Sequence, residues 1–151
     1  MKKLLILILS VFFTTASFGA TENIHQWIIS SLWRTSISLT NACNTDDVDV
    51  SVQFWKSDGS LLTGKQISEE YITDSNGKIS LHLKPHQSIM VNFEFGYFDA
   101  VTYGSGTVTT SYVKPGVECL IGGYYSGTTI VTAPNPYGQG TSYLLNSGKK
   151  F

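Results

Sequence analysis

Between Leu32 and Ser60 apolar and polar residues alternate twice, on either side of a polar loop. Trp33, Thr35, Ile37 and Leu39 fall on one face of the first run, with Arg34, Ser36, Ser38 and Thr40 on the other. Val48, Val50, Val52 and Phe54 repeat the pattern against Asp49, Ser51, Gln53 and Trp55. A period of two belongs to a strand with one buried face, and β-branched and aromatic residues suit that surface. The stretch therefore predicts a β-hairpin at the heart of a sheet, with both stripes laid on a common core.

The same period returns further along. Ile79, Leu81 and Leu83 alternate with Ser80, His82 and Lys84 until Pro85, which cannot donate to a ladder and stops the strand. Ile89, Val91, Phe93 and Phe95 form another stripe against Met90, Asn92 and Glu94. Trp27, Ile28 and Ile29 supply a short edge strand, and 64–74 reads as a loop or edge segment. Later strands are expected over 107–112, 117–125, 128–132 and 141–145, with an aromatic, Gly-rich linker at 95–106. Ser57-Asp58-Gly59 and Asp74-Ser75-Asn76-Gly77 read as tight turns, because Gly permits the positive φ such turns demand. No long segment carries the helical period of about 3.6 residues. The expected fold is all-β: one antiparallel Ig-like β-sandwich of seven to eight strands.

Four segments together resemble the sensory rhodopsin transducer-like family of small β-sandwich proteins. They are T-x-I-x-L-T-N at Thr35–Asn41, V-x-V-x-F at Val50–Phe54, L-x-L-K-P-H-x-S-I-x-V at Leu81–Val91 and G-x-V-x-x-S-x-x-x-P at Gly106–Pro115. The resemblance spans roughly residues 27–125 and implies a sandwich that binds partners or small ligands and often self-associates. A signal-like leader and a C-terminal third rich in Gly and Tyr depart from the family pattern.

Length and charge narrow the reading. At 151 residues the chain suits one domain better than two. Lys2 and Lys3, the apolar run Leu4–Phe13 and the small residues before Ala20 follow the plan of a secretory signal peptide, too short to span a membrane. Residues 1–20 are thus expected to be removed, leaving a sandwich over 21–151 in the periplasm or medium with no membrane span. Without Lys2 and Lys3, eight of the ten basic residues remain against eleven acidic ones, a net charge of −3. A mildly acidic chain without a basic cluster argues against nucleic acid as partner.

Candidate chemistry is sparse. Export permits a disulfide between Cys43 and Cys119, but two unpaired cysteines fit the sequence as well. His82 and His86 flank Leu-Lys-Pro, and His25 could join them. They straddle a proline break and need not point the same way, and no Cys or carboxylate is expected close by, so no metal site is expected. Asp46, Asp47 and Asp49 lack the calcium-loop spacing. Ser105 lacks a nucleophile elbow, and Glu69, Glu70, Glu94, Asp99 and Glu118 form no two-carboxylate motif. No cofactor is implied.

Aromatics are the strongest functional signal. Tyr97, Phe98, Tyr103, Tyr124, Tyr125 and Tyr137 lie in Gly-rich stretches. Tyrosine offers a flat apolar body with a polar tip, which suits a glycan, a protein surface or a second copy. The expected function is a non-enzymatic binding or assembly module. A small outer-membrane β-barrel and a small secreted enzyme, such as a glycan-active hydrolase, are the alternative classes.

Overall fold

The alternating stretches form strands that sort into two four-stranded antiparallel sheets. The computed structural model describes residues 19–111, 118–129 and 138–151. One sheet has the order β1 (Thr21–Ile29), β6 (Thr102–Ser111), β3 (Val48–Lys56), β4 (Lys78–Leu83). The other has the order β5 (Ser88–Asn92), β2 (Trp33–Asn41), β7 (Leu120–Thr129), β8 (Gly138–Leu144). The expected all-β sandwich is the fold. Among the described residues β1, β4, β5 and β8 stand at the ends of two separate sheets. Among the described residues no helix is long and apolar enough to cross a membrane.

The expected central hairpin is corrected. β2 and β3 belong to different sheets and present their stripes to each other across the core. Alternation specifies which face is buried but not which strand lies alongside. The connection 42–47 can reach roughly 20 Å when extended, enough to cross the ~10 Å between packed sheets. Asn41, fully buried, holds this crossover. Its Nδ2 donates to the Asp46 and Leu83 carbonyls, both at 2.9 Å, and its Oδ1 accepts from the Cys43 N–H at 2.9 Å. The β1–β2 corner is held in the same manner by Thr35. Its hydroxyl accepts from the Ile28 N–H at 2.9 Å and donates to the Ile28 carbonyl at 3.0 Å.

The core stripes are Ile37 and Leu39 from β2, Val48, Val50, Val52 and Phe54 from β3, Ile79 and Leu83 from β4, and Val91 with Phe93 from β5 and its extension. Leu81, expected inside, is only partly buried and packs on the core from the β4 edge, and Trp33 lies exposed at the start of β2. The larger difference is β1. It is nine residues long and buries Ile24, Trp27 and Ile29 completely. Trp27 stacks on Phe93 at 5.0 Å between ring centroids, and Phe93 meets Phe54 edge-on at 5.1 Å, geometries that aromatic quadrupoles favour. The segment between β3 and β4 covers one side of this cluster with Leu62 and Ile67, and the turns foreseen at Gly59 and Gly77 are present with φ of 82° and 67°.

Two boundaries also move. β6 begins at Thr102, inside the stretch expected to be a linker, and β7 runs without interruption from Leu120 to Thr129 through Gly-Gly-Tyr-Tyr-Ser-Gly. Glycine weakens an isolated strand, but β7 is laddered on both sides, to β2 and to β8, and that pairing overrides the local propensity. Gly122 has a packing role there, since a Cβ would stand 2.8 Å from a Leu39 methyl and 2.9 Å from a Leu145 methyl. After Leu145 the chain turns back. Phe151 is buried and exchanges backbone hydrogen bonds with Leu120.

Candidate functional site

Sequence and packing combine to break the β1 edge. Ile24 pairs with Gly106 and Trp27 with Gly104, so His25 and Gln26 bulge outward opposite one residue of β6. Trp27 anchors the bulge. Its indole N–H lies 3.0 Å from the Ser105 carbonyl and 3.2 Å from that of Trp55, a reach made possible by Gly104. A Cβ at residue 104 would collide with the Trp55 carbonyl and the Trp27 ring.

Tyr124 closes the gap between the bulged edge and the opposite sheet. Its hydroxyl accepts from the His25 N–H at 3.2 Å, and its ring stacks on Tyr143 of β8 at 4.8 Å with 19° between planes. Burial pushes the Tyr124 phenol above its ordinary value, so it remains an O–H with a proton to donate while it accepts from His25. The result is a cleft of about 660 Å³ lined by His25, Gln26, Trp55, Lys56, Tyr103 and the Tyr124–Tyr143 pair. Tyr103 and Tyr143 are about half exposed, at 50% and 44%. Among the described residues no carboxylate lines this cleft.

The six expected contact aromatics do not form one patch. Tyr103 and Tyr124 share the cleft, although Tyr124 is buried and acts as its wall. Phe98 is buried in the core, 6.1 Å from Phe93, with Lys65 over its ring at 5.2 Å. Tyr97 packs partly buried against that core. Tyr125 alternates with Tyr124 and faces solvent on the outer side of its sheet. Tyr137 lies outside the described residues, as do residues 1–18 of the proposed leader. Tyr143 and Gln26 escaped the sequence reading, and His25 entered it only as a companion to His82 and His86. Only the alternation at Trp55 hinted at an outward aromatic.

A second cleft, of about 650 Å³, lies on the outer face of the sheet containing β3 and β4. Here the expectation that no carboxylate stands near His82 is corrected. The β3–β4 register sets Asp49 opposite His82, and the crossover brings in Asp47. Asp49 Oδ1 is 2.8 Å from His82 Nδ1, and Asp47 Oδ2 is 3.1 Å from Nε2. Both ring nitrogens are thereby engaged, and His86 takes no part, sitting instead in the following turn at φ 60°. Ser51, beside them, buries a hydroxyl that has no hydrogen-bond partner among the described residues. The hydrogen bond that the ring donates to Asp49, then that to Asp47, raises the His82 pKa above its ordinary value. The contact therefore stabilises the fold fully below the unfolded value of about 6.5, and that contribution is lost as pH rises through the folded value. An NMR titration of His82 will place its midpoint above that of the Asp49→Asn variant; coincident midpoints would refute the pairing.

The remaining cluster is the disulfide. Cys43 in the crossover is bonded to Cys119 at the entry to β7, with Cα atoms 5.1 Å apart, beside the Ala42 N–H donated to the Cys119 carbonyl at 2.9 Å.

No protein-family model and no curated protein matches this chain. Among solved structures it is similar to one titled "Crystal Structure of Thermotoga maritima 1070", at a TM-score of 0.52 and 10% identity, covering 85% of this chain and 96% of that one. That similarity establishes a shared fold.

Proposed function

We propose that this chain is an exported, non-enzymatic binding module that takes a glycan in the aromatic cleft between the β1 bulge and the β7–β8 edge. The observation that carries the reading is the stacked Tyr124–Tyr143 pair, which lines one cleft together with Tyr103 and the polar groups of His25, Gln26 and Lys56. Aromatic faces match the apolar faces of sugar rings, and a few directed polar groups match hydroxyls. The Cys43–Cys119 disulfide suits an oxidising compartment, the periplasm or medium. The resemblance to sensory rhodopsin transducer-like sandwiches, with its implied small-ligand binding, points the same way.

The test is a glycan array followed by titration calorimetry of the best binder. Tyr103→Ala and Tyr143→Ala remove exposed rings, so each variant will melt as the parent does yet bind about 1–4 kcal/mol more weakly. Tyr124→Ala is the wrong variant, because that ring is buried. Unchanged affinity in both variants, or no glycan bound by the parent, would reject the proposal. An intact mass beginning at Met1 in protein recovered from the producing cell would reject export with processing.

A further inference from the structure

The aromatic cleft does not end at the Tyr124–Tyr143 stack. An adjoining cleft, of about 350 Å³, is lined by Glu22 and Asn23 of β1 and by Leu144, Asn146 and Ser147 where the chain leaves β8. His25, Tyr124 and Tyr143 line both clefts, so the two are neighbours along the β1 edge and the exposed Tyr143 ring stands where they meet. From Glu22 to Gln26 an extended backbone covers about 13 Å, more than one sugar ring fills. Glu22 also shapes the far end. Its Oε2 accepts from the Asn146 N–H at 3.2 Å, which holds a turn where Asn146 and Ser147 have φ of 45° and 54°. Among the described residues Glu22 Oε1 has no hydrogen-bond partner, and neither has the Lys56 ammonium or the His25 ring.

We infer that the ligand is a linear oligosaccharide of more than one unit, laid along β1 across the Tyr143 ring with a unit in each cleft. The inference rests on the glycan reading above and extends it from one cleft to two. Backbone geometry favours this occupant over an extended peptide. A peptide adds to a sheet edge through ladder hydrogen bonds, but the His25–Gln26 bulge breaks that ladder and the Tyr124 hydroxyl already takes the His25 N–H. A sugar needs no ladder. Its hydroxyls donate to the free Glu22 oxygen at one end of the groove and accept from the Lys56 ammonium at the other, both charge-assisted bonds. Between them the apolar faces of the rings rest on Tyr143 and Tyr103.

Calorimetric titration with the monosaccharide-to-tetrasaccharide series of the glycan selected on the array tests it. Affinity will rise at least about tenfold from the monosaccharide to the longer members, because the added unit binds as a tethered group. Glu22→Gln keeps an oxygen for the Asn146 N–H, so the variant will melt as the parent does, yet it will cut the gain from length at least about fivefold by removing the charge. Equal affinity at every length, with Tyr103→Ala still weakening binding, would overturn the adjoining cleft and leave the glycan reading standing. A gain from length that survives Glu22→Gln would overturn it too. No glycan bound at any length, or an extended peptide bound in place of every glycan, would overturn both readings together.

Discussion

Replacing Cys43 and Cys119 together by alanine will lower the unfolding free energy by about 4–5 kcal/mol, measured by chemical denaturation against the oxidised parent. The magnitude follows from the separation of 76 residues, since closing so long a loop removes much of the freedom of the unfolded chain. For a domain of ordinary net stability, about 5–15 kcal/mol, this is a large share. The bond also sits where the chain changes sheets. It fastens the crossover after β2 to the entry of β7, the strand that β2 pairs with. Alanine is the proper replacement because both cysteines are buried, and serine would add a hydroxyl needing a partner. A loss below about 1 kcal/mol would show that the unfolded chain is already constrained in this region and that the loop argument fails.

Trp27→Ala will cost about 3–5 kcal/mol in the same assay, the range for deleting a large buried aromatic side chain. Trp27 has no exposed surface, stacks on Phe93, meets Phe54 edge-on at 6.4 Å and occupies the space opened by Gly104. Its removal leaves a cavity in the aromatic cluster and withdraws the donor shared by the Trp55 and Ser105 carbonyls. The adjacent Ile28 points the other way and is only partly buried, so Ile28→Ala is the control and will cost less than half as much. The cleft will feel the change too. Trp27 fixes the bulge that presents His25 and Gln26, so any ligand bound there will be lost or weakened in Trp27→Ala even at temperatures where the variant is folded. Equal costs for the two substitutions would refute the assignment of Trp27 as the anchor of β1.

Where the sequence reading held and where it failed follow the same physical division. Alternation at Ile37 and Leu39, and from Val48 to Phe54, specified inward and outward faces correctly, because that property depends only on the period of an extended backbone. The partner of each strand was a different matter. β2 and β3 are consecutive and similarly patterned, yet they lie in opposite sheets, since six residues allow either a hairpin loop or a crossover and only the packing of all eight strands selects between them. Local turn chemistry at Gly59 and Gly77 was legible because positive φ is a single-residue property. The break expected at Ser126–Gly127 misled for the complementary reason: the local preference of glycine against strand is outweighed there by ladders on both sides.

The candidate site was less legible than the fold. Tyrosine content drew attention to residues 97–137, but composition could not tell which rings face the core, and Phe98 and Tyr124 proved to be buried. The cleft depends on a β-bulge at His25, a close approach at Gly104 and a stack between strands joined through residues 130–137. The pairing of His82 with Asp49 depends likewise on register across residues 33 apart in the chain. By itself, then, the sequence determined the all-β character, the buried faces of the strands and the tight turns, each a consequence of a residue and its immediate neighbours. Only the tertiary structure decided strand order, the Cys43–Cys119 bond, the burial of Trp27 and the convergence of Tyr103, Tyr124 and Tyr143, because contacts distant in sequence are set by how the two sheets close over one core.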